Sequence, residues 1–183
     1  MTKAKSRAAT SHKHVEEEGV SAGDRWIRVS REHLVATLRA LQAEGYKSLL
    51  FMSAVDHLAT PVRPSPPERF ELIYQLRNLD TREELRVRVW VPEDDPVAPT
   101  ASEIYAPAGW DERETWDMFG IRFDGHKDLV RILMPEDWEG HPQRKDYPVQ
   151  IRQPPKIYEP LQVSEEEFRR NLARDRVARL EQR

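Results

Sequence analysis

The stretch from Phe70 to Val91 decides the fold, and it reads FELIYQLRNLDTREELRVRVWV. Apolar residues recur at alternate positions in two runs of strand length: Phe70, Leu72, Tyr74 and Leu76, then Leu85, Val87, Val89 and Val91. A period of two is typical of strands that bury one face. Residues 78–82 supply the turn, so we predict an antiparallel hairpin. Its register should be firm, because a slip by one residue would bury Arg86 and Arg88.

A helix and a strand are predicted before this hairpin. Ser30 is a suitable N-cap, Val29 and Leu34 have the spacing of a hydrophobic staple, and Gly45 ends the helix. The buried stripe of the helix is Leu34, Val35, Leu38 and Leu41. Leu49 to Val55 is an apolar run of strand length, and Thr60 to Glu68 contains four prolines and is predicted to be a loop.

The pattern as a whole indicates an α+β fold. We expect a two-layer domain over residues 25–148, with a mostly antiparallel sheet and helices on one face. Residues 1–24 lack apolar periodicity and are predicted to be a disordered tail. Pro92 to Pro99 is predicted to be a loop, and the capping-box spacing of Thr100 and Glu103 predicts a short helix that ends before Pro107.

The densest concentration of unusual residues follows, from Pro107 to Pro148: PAGWDERETWDMFGIRFDGHKDLVRILMPEDWEGHPQRKDYP. The part from Gly109 to Phe119 is predicted to be a helix closed by Gly120, because glycine suits a left-handed helix end. A brief strand with Ile121 and Phe123 should follow before Gly125 turns the chain.

The charges of this helix suggest a structural role. Trp110, Glu114 and Asp117 fall on one helix face, so two carboxylates lie side by side and repel each other. Arg131, Arg144 and Lys145 are the candidate cations downstream. We therefore expect Glu114 and Asp117 to be at least partly buried and paired, as ionic struts that tie the helix to the segment after it.

The same residues allow a second interpretation. Glu112, Glu114 and Asp117 together with His126 and His141 could form a metal or acid-base site, as in a stand-alone metal-dependent hydrolase. No His-x-x-x-His or Glu-x-x-His pair lies on a predicted helix, and both histidines follow glycine in turns, which favours the struts. Metal analysis of the purified chain would separate the two hypotheses.

This stretch resembles the signature of the C-type, or thirty-kilodalton, subunit of respiratory complex I, the NADH:quinone oxidoreductase. The matching residues are Glu112, Arg113, Glu114, Asp117, Met118, Phe119, Gly120, Phe123, Gly125, His126, Leu129, Arg131, Ile132, Leu133, Gly140, His141, Pro142, Arg144, Lys145 and Asp146. Lys127 and Gln143 depart from the family pattern, which usually has proline and leucine at these places.

The resemblance implies that this chain is a structural and assembly subunit of the peripheral arm of a proton-translocating NADH:quinone oxidoreductase. That complex passes electrons from NADH through FMN and iron-sulfur clusters to quinone. Those cofactors would lie in partner subunits, and no active site is expected in this chain. The implied partners are chiefly the large D-type, quinone-site subunit and cluster-bearing neighbours, on the cytoplasmic side of the cell membrane. A related membrane-bound hydrogenase, or another quinone- or ferredoxin-linked complex, is the alternative.

Composition agrees with a cofactor-free chain. It has no cysteine, the residue that holds iron-sulfur clusters, and no glycine-rich phosphate loop. Its net charge of -3 gives no excess of positive charge for binding nucleic acid. The sequence contains no run of eighteen apolar residues, which is the length at which a membrane-spanning helix is considered. Membrane association should therefore be indirect, through partners.

The C-terminal residues 149–183 are predicted to form an extended arm and a terminal helix for assembly. Gln150 to Gln162 contains three prolines, and Ser164 and Glu167 form another capping box. The apolar residues are too few to offset the ordering entropy of the segment unless a partner buries them. The expected anchors on the large subunit are Tyr158, Leu161, Phe168 and Leu172.

Overall fold

The computed structural model describes residues 14–59 and 65–148, together with residues 164, 166, 167, 169 and 170. Seven strands lie in the described part: β1 (Val15–Ser21), β2 (Asp24–Val29), β3 (Ser48–Asp56), β4 (Phe70–Arg77), β5 (Glu84–Val91), β6 (Val97–Pro99) and β7 (Arg122–Asp124). The two main helices among those residues are α1 (Leu34–Ala43), which follows a 3-10 turn at Arg31–His33, and α2 (Ala108–Phe119).

Five strands form one sheet in the order β1-β2-β5-β4-β3. The predicted β4–β5 hairpin is confirmed, with Phe70 opposite Val91 and Arg77 opposite Glu84. The β1–β2 and β3–β4 pairs are also antiparallel, whereas β2 and β5 run parallel. The short β6 and β7 make a separate parallel pair. The mostly antiparallel α+β architecture expected from the sequence is therefore confirmed.

Both helices contribute to one core against the same face of the sheet. Leu34, Leu38 and Leu41 of α1 and Met118 and Phe119 of α2 belong to a single buried apolar cluster. Its sheet residues include the alternate positions that the period-two pattern marked, from Phe70 to Leu76 and from Leu85 to Val91. Burial of this apolar surface is the dominant stabilising contribution to the fold.

The predicted disordered tail is wrong for its last part, because residues 15–21 form β1 and Asp24 begins β2. Ala22 and Gly23 at the turn have φ angles of 53° and 93°, as a two-residue hairpin turn requires. A Cβ atom on Gly19 would lie 2.7 Å from the Trp26 ring, so glycine lets that ring lie across β1. The charged stretch Glu16 to Glu18 hid this edge strand, since charges are common on exposed edges.

Three smaller expectations need correction. Pro92 to Pro99 is not entirely loop, because its last three residues form β6. The predicted helix at Thr100 is a turn instead: Thr100 Oγ1 accepts a hydrogen bond from the Ser102 backbone at 3.1 Å, which is a local alternative to helix. Ser30 stands at the N-cap position of the 3-10 turn rather than of α1, and its hydroxyl lies 2.8 Å from His33 Nδ1 instead of bonding to a backbone N–H of the turn.

The chain divides into two compact units, Met1–Pro148 and Val149–Arg183. Most of the predicted C-terminal arm, including Tyr158, Leu161, Phe168 and Leu172, lies outside the described residues. Within the part of the chain that the structure describes, no helix is long and apolar enough to cross a membrane.

Candidate functional site

The C-terminal end of α2 is closed by the segment that follows it. The last four carbonyls of a helix have no partner within the helix, and burying them unpaired is costly. The donors here are the backbone N–H of Gly120 to Trp116 O (2.8 Å), His141 Nδ1 to Asp117 O (3.0 Å), the backbone N–H of Gln143 to Met118 O (3.0 Å) and Arg144 Nε to Phe119 O (2.5 Å). The segment around His141–Arg144 thus serves as the cap of α2.

Asp117 is the second anchor of the same segment, and its side chain is fully buried. Its Oδ1 accepts a hydrogen bond from Arg131 Nη1 at 2.5 Å. Its Oδ2 accepts three backbone N–H groups, from Ile132 at 3.1 Å and from Leu133 and Met134 at 2.8 Å each. Arg131 also donates to the carbonyls of residues 138 and 140, so one carboxylate organises the whole loop.

The pKa directions follow from these contacts. Burial alone would raise the pKa of Asp117, but the backbone donors and Arg131 together hold it below its usual value. Burial lowers the pKa of His141, with help from the charges of Arg144 and Arg131, although its bond to the Asp117 carbonyl opposes the shift. His141 is therefore a neutral imidazole that donates through Nδ1 at neutral pH.

Glu112 is the other buried carboxylate of α2, with no exposed surface. It accepts hydrogen bonds of 2.6 Å each from the Ala101 backbone and the Thr100 hydroxyl, and so ties α2 to the turn after β6. Burial raises the pKa of Glu112, and these two hydrogen bonds oppose the rise only in part. Glu112, not Glu103, is the carboxylate that bonds to Thr100.

His126 is held by both ring nitrogens. Nε2 lies 3.0 Å from the carbonyl of Gly109, and Nδ1 accepts the backbone N–H of Asp128 at 3.1 Å. This pattern requires the neutral tautomer that is protonated at Nε2. The 3.9 Å approach of Nε2 to Glu112 is therefore not an ion pair. Neither ring nitrogen is left to bind a metal.

The end of the segment is fastened to the sheet by an ion cluster around the buried pair of Asp56 and Arg69. Asp56, at the end of β3, accepts two hydrogen bonds from Arg69, at 3.2 and 2.9 Å, and one from the Lys145 backbone at 2.9 Å. Arg69 also pairs with Asp146 at 2.8 Å and with Glu93 at 2.5 Å. Burial would raise the pKa of Asp56, but its donors, led by Arg69, lower it overall.

The placement of the charged residues differs from the expectation at three positions. Glu114 is exposed, and the structure gives it no ion pair among the described residues. Arg144 donates to a helix carbonyl rather than to a carboxylate, and its guanidinium lies 5.2 Å from the Phe70 ring centroid. Lys145 approaches Asp56 through its backbone. Only Arg131, of the three candidate cations, pairs with Asp117.

Similarity to known proteins covers most of this domain. A family model described as "Respiratory-chain NADH dehydrogenase, 30 Kd subunit" matches residues 27–153, which is more than half of the chain. The chain belongs to this 30 kDa subunit family. The resemblance carried by the signature residues is thereby confirmed.

Two relatives show how far the likeness extends. The C-type subunit of the NADH-quinone oxidoreductase of Trichlorobacter lovleyi is 45% identical over 129 residues, covering 70% of this chain and 76% of that protein. The combined C/D-type subunit of the NADH-quinone oxidoreductase of Psychrobacter is 46% identical over 124 residues, which make up 66% of this chain and 21% of that protein. Some C-type relatives are longer, and the chain spans 51% of one of them, from Saccharopolyspora erythraea.

Two solved structures share the fold. "Nqo5 of the trypsin-resistant fragment (1-134)" has a TM-score of 0.55 at 36% identity and covers 58% of this chain and 83% of its own. A chain of the "membrane-bound sulfane sulfur reductase (MBS), an archaeal respiratory membrane complex" has a TM-score of 0.61 at 28% identity and covers 73% and 77%.

Both departures from the 30 kDa subunit signature fall where the side chain is not needed. Gln143 caps α2 through its backbone N–H, so the leucine that the family usually has would serve as well. Lys127 lies in an exposed turn, with its ammonium 4.0 Å from Glu103. The core contacts of the signature are unaffected by either change.

Several residues that organise this 30 kDa subunit were not identified from the sequence. Asp56, Arg69 and Glu71 are all buried although they are charged. Glu71 lies on the sheet face opposite the helices, where it bonds to Arg88 at 2.5 and 2.9 Å and to His57 at 3.0 Å. The alternating pattern suggested that this face was open to solvent. No local sequence signal could reveal the group formed by Glu71, Arg88 and His57, because its members lie in or beside different strands.

Proposed function

We propose that this chain is a cofactor-free scaffold subunit in the peripheral arm of a proton-translocating NADH:quinone oxidoreductase. FMN and iron-sulfur clusters would be carried by partner subunits, and the chain would add no active site of its own. Membership of the 30 kDa subunit family supports the assignment to the complex. The observation that supports a scaffold role is the use of the signature side chains as structural anchors.

Asp117 is the clearest example of a signature side chain that acts as a structural anchor. Both carboxylate oxygens are engaged, by Arg131 on one side and by three backbone donors on the other. Glu112, His126 and His141 are likewise committed to backbone or hydroxyl partners. Within the described residues, no group of three or more His, Cys, Asp or Glu could hold a metal ion. The geometry thus favours struts over the metal-dependent hydrolase.

The chief partner, in this proposal, is the large D-type subunit at the quinone site, together with cluster-bearing neighbours. The Psychrobacter relative supports it, because its name joins C to D and its C-like region makes up only 21% of a longer chain. Two modules joined in one chain are held at a high effective concentration, which is useful when they act as a pair. We place this chain on the cytoplasmic side of the cell membrane, as a peripheral part of a membrane complex to which its partners attach it.

Deletion and complementation in the source cell test the proposal. Membranes that lack the chain should lose quinone reduction by NADH and lose the assembled peripheral arm, and the wild-type chain should restore both. The isolated chain should carry no FMN, iron or zinc by absorbance and metal analysis. A stoichiometric redox cofactor on the purified chain, or a fully active complex without it, would overturn the proposal.

A second candidate is the equivalent subunit of a related respiratory complex with another donor. The likeness to a chain of a membrane-bound sulfane sulfur reductase complex supports it. Affinity purification of the intact complex separates the two candidates, because only an NADH:quinone oxidoreductase would oxidise NADH with quinone as the acceptor.

A further inference from the structure

Four exposed apolar side chains lie along α2 and the loop that follows it: Trp110, Val130, Ile132 and Leu133, which we name the apolar ridge. Their exposed fractions are 62%, 45%, 37% and 58%. Arg113 joins the two parts, because its guanidinium lies 5.1 Å from the Trp110 ring centroid and donates to the carbonyls of Val130 and Arg131. Exposed large apolar side chains that are grouped in one part of the surface are typical of an interaction site.

The ridge is held rigidly, although it makes no contribution to the core. The backbone of Ile132 and Leu133 is fixed by the buried carboxylate of Asp117, at 3.1 and 2.8 Å. Asp117 fixes the backbone of two residues whose side chains remain exposed, so the positions of those side chains contribute little to the stability of the fold. It does reduce the ordering entropy that a partner would otherwise have to overcome on binding. The loop is therefore preorganised for contact.

Charge around the ridge restricts the occupant. Glu114, Glu136 and Glu139 are exposed acidic residues of α2 and of the same loop. A second copy of this chain would bring like charges together across a symmetric contact, which is unfavourable. The matching surface should instead be an apolar groove flanked by basic side chains.

We infer that the apolar ridge is the surface on which the D-type subunit docks, through such a groove. The inference rests on the proposed function and adds to it the residues of this chain that make the contact. The ridge lies inside residues 27–153, the region shared with the family. The fused C/D relative supports the D-type subunit as the occupant. Leu79 in the β4–β5 turn is exposed to a similar degree, but its neighbours in sequence, Asn78 and Asp80, are polar.

The test uses a matched pair of substitutions in the full-length chain. Leu133 and Leu79 are 58% and 59% exposed, so Leu133→Asp and Leu79→Asp change the same side chain at equal exposure. Each is co-expressed with the D-type subunit of the same organism, and Kd is measured with the purified partners. We expect Leu133→Asp to weaken binding by at least about tenfold and Leu79→Asp by less than about twofold, as at an interface anchor compared with a bystander.

Each other outcome counts against the ridge as the docking surface. Equal binding by both variants and wild type overturns it and leaves the proposed function intact. Failure of the wild-type chain to bind the D-type subunit overturns both. A wild-type dimer that Leu133→Asp makes monomeric would assign the ridge to a second copy. A lower Tm for isolated Leu133→Asp than for Leu79→Asp would show that the chain covers the ridge itself.

Discussion

Arg131 and Asp117 form the most consequential pair in the molecule at the scale of single residues. Transfer of a charge from water into a protein interior is costly unless hydrogen bonds and an opposite charge compensate it. Asp117 meets this requirement with one guanidinium and three backbone donors. The sequence indicated the carboxylate and a set of three cations. It could not choose among the cations, because the path of the loop back over α2 depends on tertiary contacts.

Arg131→Ala should destabilise the chain strongly. Removing one partner of a buried pair costs about 3 to 5 kcal/mol, and we expect the lower end because the three backbone donors remain. Urea unfolding followed by circular dichroism measures the change. Arg39→Ala is the matched control, because its pair with Glu103 is more than half exposed on both sides and spans 4.0 Å. The control should lose less than about 1 kcal/mol, and equal losses would contradict a structural role for Asp117.

Glu112→Gln should leave the chain folded and assembled. The amide oxygen can accept from Ala101 and the amide nitrogen can donate to Thr100, so we expect a change within about 1 kcal/mol at neutral pH. The raised pKa of Glu112 means that the folded chain disfavours the ionised carboxylate. Its contribution to the free energy of unfolding is therefore largest when the group is protonated, and it falls as the pH rises through the folded-state pKa. The wild-type chain should therefore gain stability relative to the variant as the pH falls towards 4.5, the ordinary value.

The measurement for Glu112→Gln is the free energy of unfolding at several pH values, with quinone reduction by the assembled complex as a second readout. Full activity is expected, because the carboxylate holds the turn at Thr100 and moves no proton. A loss of activity without a loss of stability would favour the acid-base interpretation instead.

The end of α2 shows how one element depends on residues far along the chain. Gly120 has a φ of 75°, and a Cβ atom there would lie 2.5 Å from His141 Cδ2 and 2.6 Å from Arg144 Nη2. The glycine therefore serves two purposes, since it permits the left-handed turn and leaves room for the side chains that cap the helix.

Gly120→Ala should separate these two purposes when compared with Gly23→Ala. Gly23 has a φ of 93° with nothing within 4 Å of the added Cβ, so this control reports backbone strain alone. The strain of an L-residue in this left-handed region is about 1 to 2 kcal/mol. We expect Gly120→Ala to lose more, by at least about 1 kcal/mol, because it displaces two donors of the cap. Equal losses in thermal unfolding would show that the cap adds nothing.

Elements with a strong local pattern were predictable, and elements defined by their partners were not. The period of two in β4 and β5, the stripe of α1 and the glycine after α2 are local signals. In contrast, β1 carries three glutamates and β6 has three residues, so neither has an apolar pattern of its own. Thr100 had the spacing of a helix cap, but Glu112 competes for its hydroxyl from the next helix.

At the scale of the whole molecule, the domain is closed where Asp146 and the Lys145 backbone meet Arg69 and Asp56. These contacts fasten the end of the signature segment to the sheet. All four of these residues lie in the described part of the chain, before residue 148.

A chain that stops at Pro148 should therefore keep its core. We expect Tm to stay within about 3 °C of the full-length value, a shift that corresponds to about 1 kcal/mol or less for a domain of this size. Association with the D-type subunit should weaken, because the sequence predicts anchors for it in residues 149–183. Calorimetry and a binding titration check the two halves of this prediction. A collapsed core would show that the C-terminal segment packs on its own domain.

The parallel pairing of β2 with β5 has a consequence for the order of folding. Arg25 lies beside Leu85, so this contact closes a loop of about 60 residues, whereas β4 and β5 meet across a short turn. Closing a long loop is entropically unfavourable and slow compared with local pairing. On the ribosome, the β1–β2 hairpin is synthesised before β5, the strand beside which β2 lies in the described sheet. We therefore expect β1 and β2 to join the sheet after β4 and β5 have paired, and the glutamates on the edge strand β1 disfavour pairing with other chains before then.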